Sequence, residues 1–266
     1  YLQPKTKLIT PVMTSYLINS RNKWTSFMIL VTAGCSFSEC ISPWIDTWPK
    51  HLEKLLGPSK AFHTGLGSIG NGLISRRVIH QVHNLLKDHR ADELLVGIQW
   101  SGPDRHEFFK EDIEKFDNTD GWMENPAGVV DAGNKNWIIT NAQWSNSFSK
   151  SFYKMFHDDT GSYISTLEHI LRTQWFLKSN GIKYFMSTYT SEVIPNKLKN
   201  NVHTKHLYEQ IDRDNFLPVE GQYEWCRDHS GIPYNDPDNL HPSSKQHEAF
   251  ARDVIIRFCK RKGILE

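Results

Sequence analysis

The stretch Met28-Ile29-Leu30-Val31-Thr32-Ala33 is almost continuously apolar and stops at Gly34, the pattern of a short strand buried on both faces of a parallel sheet. Ala61-Phe62-His63, Leu94-Leu95-Val96-Gly97-Ile98 and Ile182-Lys183-Tyr184-Phe185-Met186 read as a second, third and fourth strand. Between them the apolar spacing changes to that of helices. Leu52, Leu55 and Leu56 precede Gly57, Leu73, Val78, Val82, Leu85 and Leu86 form a second set, and Ile164 to Leu177 is closed by Asn180-Gly181. A last helix is expected from about Ser243 to Lys260. Ser243 and Gln246 have capping-box spacing after Pro242, and Phe250, Val254, Ile255 and Phe258 make its apolar stripe.

Strands alternating with helices imply an α/β fold of three layers, a mostly parallel sheet with helices on both faces. We expect one such domain over residues 28–266, with residues 1–27 as an N-terminal extension outside it. Ligands of open α/β sheets bind at the carboxyl ends of the strands. Two long stretches, Gly102 to Thr160 and Ser191 to Asn239, leave from those ends and are expected to be lids or substrate-binding loops. The first is rich in aromatics: Phe108, Phe109, Phe116, Trp122, Trp137, Trp144, Phe148, Phe152 and Tyr153. They read first as a satellite core holding a long loop together, and second as faces that could stack on a sugar or an acyl group.

Charge narrows the function classes. Lys and Arg number 31 against 30 Asp and Glu, a formal net charge of +1, so binding nucleic acid by bulk charge is not expected. Cys35, Cys40, Cys226 and Cys259 include no CxxC pair and no histidine at zinc-finger spacing, and read as reduced thiols. Lys5, Lys7, Arg21 and Lys23 precede an apolar run too short for a signal peptide, and Thr32 is polar where a lipoprotein cleavage box needs an aliphatic residue. A cytoplasmic location without membrane attachment is therefore expected.

Two groups of residues carry the chemistry. Ser36, in Gly34-Cys35-Ser36-Phe37-Ser38, sits where the first strand breaks into a turn, so its hydroxyl can project into the crevice. The bland alternative is a turn or capping serine. Near the other terminus, Asp238-Asn239-Leu240-His241-Pro242 spaces a carboxylate three residues before an imidazole, which suits a general base and its orienter. The alternatives there are a surface loop capping the last helix, or a metal site built from Asp236, Asp238, His241 and His247. Cys35 should point away from Ser36 by strand alternation and reads as a small buried thiol. His80 and His83 have no acidic partner and read as solvent-side residues, and His157-Asp158-Asp159 reads as a turn and helix start. Gly65, Gly67 and Gly70 superficially match GxGxxG, but the acid about twenty residues on, Asp88, belongs to the helix rather than to a second strand.

A strand-Gly-x-Ser block at the start with Asp-x-x-His before the final helix resembles the SGNH, or GDSL-like, hydrolases, with the first block in the GCSF form of small phage and bacterial members. The resemblance covers nearly all of the chain after residue 27. It implies a flavodoxin-like three-layer fold with two long insertions, Ser36 as nucleophile, and Asp238 and His241 completing the triad. The family's second block resembles Gly67-Ser68-Ile69-Gly70-Asn71, so Gly67 or Gly70 is expected to donate to the oxyanion together with the N–H of Ser36. The third block departs from the pattern, because Gln99-Trp100-Ser101-Gly102 has Ser101 where the family carries an asparagine donor. One lost oxyanion donor costs about 10²–10³ in turnover, and Ser101 is expected to substitute for it. Trp100, Asn71 and Arg105 are expected as substrate contacts. The resemblance implies ester hydrolysis without a metal or organic cofactor, on a small-molecule or glycan ester such as an acetylated carbohydrate. Its rivals are a catalytically weak glycan-binding or phage structural protein, which would make the location phage-associated, and an acyltransferase with the same triad.

Overall fold

The computed structural model describes residues 28–40, 45–109, 137–142, 147–233 and 241–265. The expected extension over 1–27 lies outside them. In chain order the elements are β1 (Ile29–Ala33), α1 (Trp48–Leu56), β2 (Lys60–His63), α2 (Asn71–Leu85), β3 (Leu94–Trp100), β4 (Arg105–Phe109), β5 (Trp137–Asn141), α3 (Ser147–Met155), α4 (Asp159–Ser179), β6 (Lys183–Thr188), α5 (Lys205–Tyr208), α6 (Gln222–Asp228) and α7 (Ser244–Phe250). The last continues through a π-helical segment, Ala251–Ile256, into α8 (Arg257–Arg261).

The main sheet has the order β2-β1-β3-β6 with every neighbouring pair parallel. The strand order reverses between β1 and β3, so a crevice opens outside the carboxyl ends of those two strands. Successive side chains of a strand point to opposite faces, and the apolar runs therefore feed two cores. Ile29, Val31, Leu94, Val96, Ile98 and Met186 pack with Leu73, Val78, Leu167 and Ile170 of α2 and α4. Leu30, Leu95 and Phe185 pack on the other face with Trp48 and Leu52 of α1 and with Phe250, Ile255 and Phe258 of the C-terminal helix. Burying such a side chain stabilises by roughly 1.5–3 kcal/mol, and burial on both faces is why these strands show no polar alternation.

Helix ends follow local chemistry. The Ser243 hydroxyl accepts from the Gln246 N–H, and the Gln246 side chain accepts from the Ser243 N–H at 2.8 Å, the expected capping box. Asp158 caps α4 by accepting from Gly161 N–H at 2.9 Å, so this helix begins at Asp159, five residues before its apolar periodicity does. β3 runs on through Gln99 and Trp100, which still pair with Ser187 and Thr188 of β6.

The two insertions differ from their expectation. The first contains an antiparallel pair, Arg105↔Asn141 to Phe109↔Trp137, followed by α3. Its aromatics form the satellite cluster, with Phe108 5.6 Å from Phe148 and 5.1 Å from Phe152 between ring centroids. Phe116, Trp122 and Trp144 lie outside the described residues. In the second, residues 191–233 are not a lid. Leu217 N–H donates to Met186 O at 2.8 Å and Phe216 bridges to Met186, so this stretch covers the β6 edge of the sheet, where unpaired backbone groups would otherwise be open to another chain. Among the described residues no helix is long and apolar enough to cross a membrane.

Candidate active site

The chain turns immediately after β1. Ser38 N–H donates to Cys35 O at 2.8 Å and closes a 3₁₀ turn over Ser36–Ser38. Every residue from Ile29 to Cys35 is buried, and Ser36 is the first that is not. His241 comes from the opposite end of the sequence, two residues ahead of the Ser243 cap, and its Nε2 lies 2.7 Å from Ser36 Oγ. Asp238 lies outside the described residues. The Phe37 ring is 4.9 Å from the His241 ring and 5.3 Å, edge-on, from that of Tyr189. His241 is an exposed residue, yet loss of water around its ring holds its pKa below the usual histidine value, and the charge of Arg105 adds to the effect. The imidazole is therefore neutral at neutral pH, the form that can take a hydroxyl proton.

Beneath this pair runs a buried chain of polar groups. Trp48 Nε1 donates to Ser38 Oγ at 2.8 Å, Ser38 Oγ to Gln99 Oε1 at 3.0 Å, Gln99 Nε2 to Gln222 Oε1 at 2.7 Å, and Gln222 Nε2 to His247 Nδ1 at 2.8 Å. Trp48 N–H also donates to His247 Nδ1 at 3.2 Å. With Nδ1 accepting twice, the proton of neutral His247 is on Nε2. Burial pushes the His247 pKa down to about 3, and its Nδ1 is engaged by Trp48 and Gln222; among the described residues no cluster could hold a metal ion, and Asp236 and Asp238 of the Asp236-Asp238-His241-His247 metal reading lie outside them. The network ties the turn after β1 to α1, β3, α6 and α7. Sequence reasoning missed it, and the one available signal was a glutamine, Gln99, ending an apolar strand.

The remaining expected site residues separate into groups that face the cleft and groups that do not. Gly67 lies half-buried in the loop before α2, next to Ser68, which at φ 64° is the one non-glycine residue with positive φ among those described. The Gly70 N–H, with that of Leu73, faces the Glu107 carboxyl, which corrects the expected role of Gly70. Ser101 is also corrected. Its N–H donates to Asn71 Oδ1 at 2.7 Å, and its hydroxyl is enclosed with no partner among the described residues, so neither group is presented to an oxyanion. Trp100 is fully buried in the α2–α4 core and cannot touch substrate. Asn71 is buried too, donating to Ser101 O at 2.9 Å and to Thr166 Oγ1 at 3.2 Å, so it holds the β3 end in place. Asn71→Ala is expected to destabilise the protein by about 1–3 kcal/mol in urea denaturation, because it leaves the buried Ser101 N–H unpaired. A loss under about 0.5 kcal/mol would contradict this role. Arg105 lies over Tyr189, whose ring meets Phe37, with its Cζ 5.5 Å from the Tyr189 ring centroid.

Other readings fall on structural grounds. Cys35 is fully buried, as expected from alternation. The glycine-rich loop follows the edge strand β2, and the Glu107 carboxyl occupies the N-terminus of α2 where a dinucleotide phosphate would need to sit. His80 is hydrogen-bonded to Asn84 at 2.9 Å and His83 is exposed.

The model of a family of unknown function, DUF6071, matches residues 42–265, a range that includes His241 and begins after Ser36. No curated protein matches the chain. Among solved structures, the crystal structure of protein YXIM from Bacillus subtilis is similar at a TM-score of 0.46 and 15% identity, over 90% of this chain and 58% of that one. A protein from Lactobacillus plantarum is similar at 0.44 and 12%, over 89% of this chain and 98% of its own. The chain thus spans little more than half the length of the Bacillus subtilis protein.

Proposed function

This chain belongs to DUF6071, a family of unknown function, and for it we propose a serine ester hydrolase of the SGNH type acting on a small acyl ester, with an O-acetylated carbohydrate as the first substrate class. The observation that carries the reading is the 2.7 Å contact between Ser36 Oγ and His241 Nε2 at the carboxyl end of β1. The parallel order β2-β1-β3-β6, with its crevice beside β1 and β3, suits the flavodoxin-like SGNH arrangement.

In this mechanism Ser36 Oγ attacks the ester carbonyl carbon while its proton passes to His241 Nε2. The carbonyl oxygen becomes an oxyanion, which the N–H groups of Ser36 and Gly67 hold. Collapse breaks the bond to the alcohol, which takes the proton from His241. Water then attacks the acyl-enzyme, losing its proton to His241; collapse breaks the acyl–Oγ bond, Ser36 Oγ takes that proton back, and the acid departs. Asp238, three residues before His241, is assigned to orient the imidazole.

The test is labelling of the full chain with a fluorophosphonate, read by intact mass and peptide mapping. A single adduct on Ser36 is expected, and a folded protein that takes no label overturns the reading. The enclosed Ser101 hydroxyl favours one rival, a glycan-binding protein with little turnover, and glycan affinity in an unlabelled protein would support it. A pH profile gives a second check. Because the His241 pKa lies below about 6.5, kcat/KM is expected to rise with pH as the imidazole loses its proton and to level off below that value. An acid limb centred above 6.5 would contradict the loss of water around the His241 ring.

A further inference from the structure

We propose that Arg105 makes this site selective for esters that carry a carboxylate close to the scissile bond. The inference rests on the ester-hydrolase reading and gives it a substrate class.

Arg105 opens β4, just after the chain leaves the carboxyl end of β3, and its N–H closes the turn onto Gly102 O at 3.4 Å. Its guanidinium lies over Tyr189, the Tyr189 ring meets Phe37 edge-on, and Phe37 packs on His241. The cation is thus fixed to the same aromatic wall as the imidazole, close enough to depress the His241 pKa. Among the described residues its guanidinium makes no hydrogen bond or ion pair, and Nη1 is buried with no partner.

Arg105 also lines a cavity of ≈ 140 Å³ with Asn71, Pro103, His106, Glu107 and His169. Two of these residues hold a buried side-chain nitrogen without a partner, Arg105 Nη1 and His106 Nε2. Buried polar groups are nearly always paired, so two unpartnered nitrogens on residues beside one cavity mark a place where a polar ligand group belongs. Glu107, only partly charged near neutral pH, offsets the Arg105 charge only in part. Its carboxyl sits against the N–H groups of Gly70 and Leu73, and burial pushes its pKa up to about 7. A planar carboxylate fits the guanidinium fork in two parallel hydrogen bonds. It could belong to the alcohol part, as in an acetylated uronic acid, or to the acyl part, as in the half-ester of a dicarboxylic acid.

The experiment compares kcat/KM on two matched pairs, each corrected for its full rate without enzyme, which for the hemisuccinate includes attack by its own carboxylate. 4-Acetoxybenzoate against its methyl ester carries the charge on the alcohol side, and 4-nitrophenyl hemisuccinate against 4-nitrophenyl butyrate carries it on the acyl side. Wild type is expected to prefer the anion by about 10- to 100-fold in one pair, less so at high salt. Arg105→Met is expected to bring that ratio near one. Arg105→Lys, which keeps charge and loses the fork, should retain part of it and serves if the methionine variant does not fold. No preference in either pair, with Ser36 still labelled by a fluorophosphonate, overturns the role of Arg105 and leaves the hydrolase standing with water in the cavity. A preference that survives Arg105→Met also overturns it. A folded chain that takes no label overturns both.

Discussion

Ser36→Ala is expected to lower ester hydrolysis by about 10⁴–10⁶-fold, since a nucleophile and its base act as a unit and removal of either abolishes covalent catalysis. His241→Ala should cost a similar amount, and the double variant little more than either alone. Neither change should unfold the protein. The Ser36 hydroxyl is half-exposed and among the described residues is bonded to His241, an exposed residue, so losing the contact is worth only about 0.5–1.5 kcal/mol. The measurement is initial-rate hydrolysis of an aryl acetate by the purified variants, beside thermal melts. Hydrolysis by Ser36→Ala at a tenth of the wild-type rate or more would remove Ser36 from the mechanism. Activity lost in Ser36→Ala but kept in His241→Ala would leave the serine and discard the base.

β1, β3 and β6 were legible because both faces of the sheet are buried along them, whereas the edge strand β2, only half-buried, showed in the short stretch Ala61-Phe62-His63. Ser36 and His241 were legible through chain logic: each borders a recognisable element, β1 on one side and the Ser243-capped helix on the other. What could not be read was which neighbours point inward. Asn71, Trp100 and Ser101 flank the third-block position in space, yet register and packing, rather than residue type, send the indole into the core and turn the amide onto the Ser101 backbone. The β4–β5 pair was missed because Arg105-His106-Glu107-Phe108-Phe109 has no clear period of two, and its partner strand lies 28 residues beyond its end. Gln222 gave no signal, and His247 entered only as a member of the metal alternative. Their roles exist only once Gln99, 123 residues from Gln222 along the chain, delivers a side chain to the same buried spot.

Gly65→Ala is expected to cost about 3 kcal/mol of stability, the upper range for overpacking, and to lower the melting temperature by roughly 10 °C. The reason is the close approach of two backbones. Thr64 N–H donates to Thr32 O at 2.7 Å and Leu66 N–H to Gly34 O at 3.0 Å, which carries the β1–β2 pairing past the strand ends and bridges Gly65 to Glu39. A Cβ on Gly65 would stand 2.2 Å from Ser38 O and 2.6 Å from Ser38 C. Both are backbone atoms, so no side-chain rotation relieves the clash. Ser38 cannot retreat without breaking its bonds to Trp48 and Gln99, and any shift that does occur passes through the Ser36–Ser38 turn to the Ser36–His241 contact. The fluorophosphonate labelling rate should therefore fall in the fraction that remains folded. Gly67→Ala supplies the control for stability, because its Cβ would meet only the end of the Glu39 side chain, at 3.0 Å, and should cost under about 1 kcal/mol. Urea denaturation of the two variants decides the matter. Equal stability of Gly65→Ala and Gly67→Ala would mean that the two loops do not approach as closely as their hydrogen bonds require, and with that the built turn beneath the nucleophile would be lost.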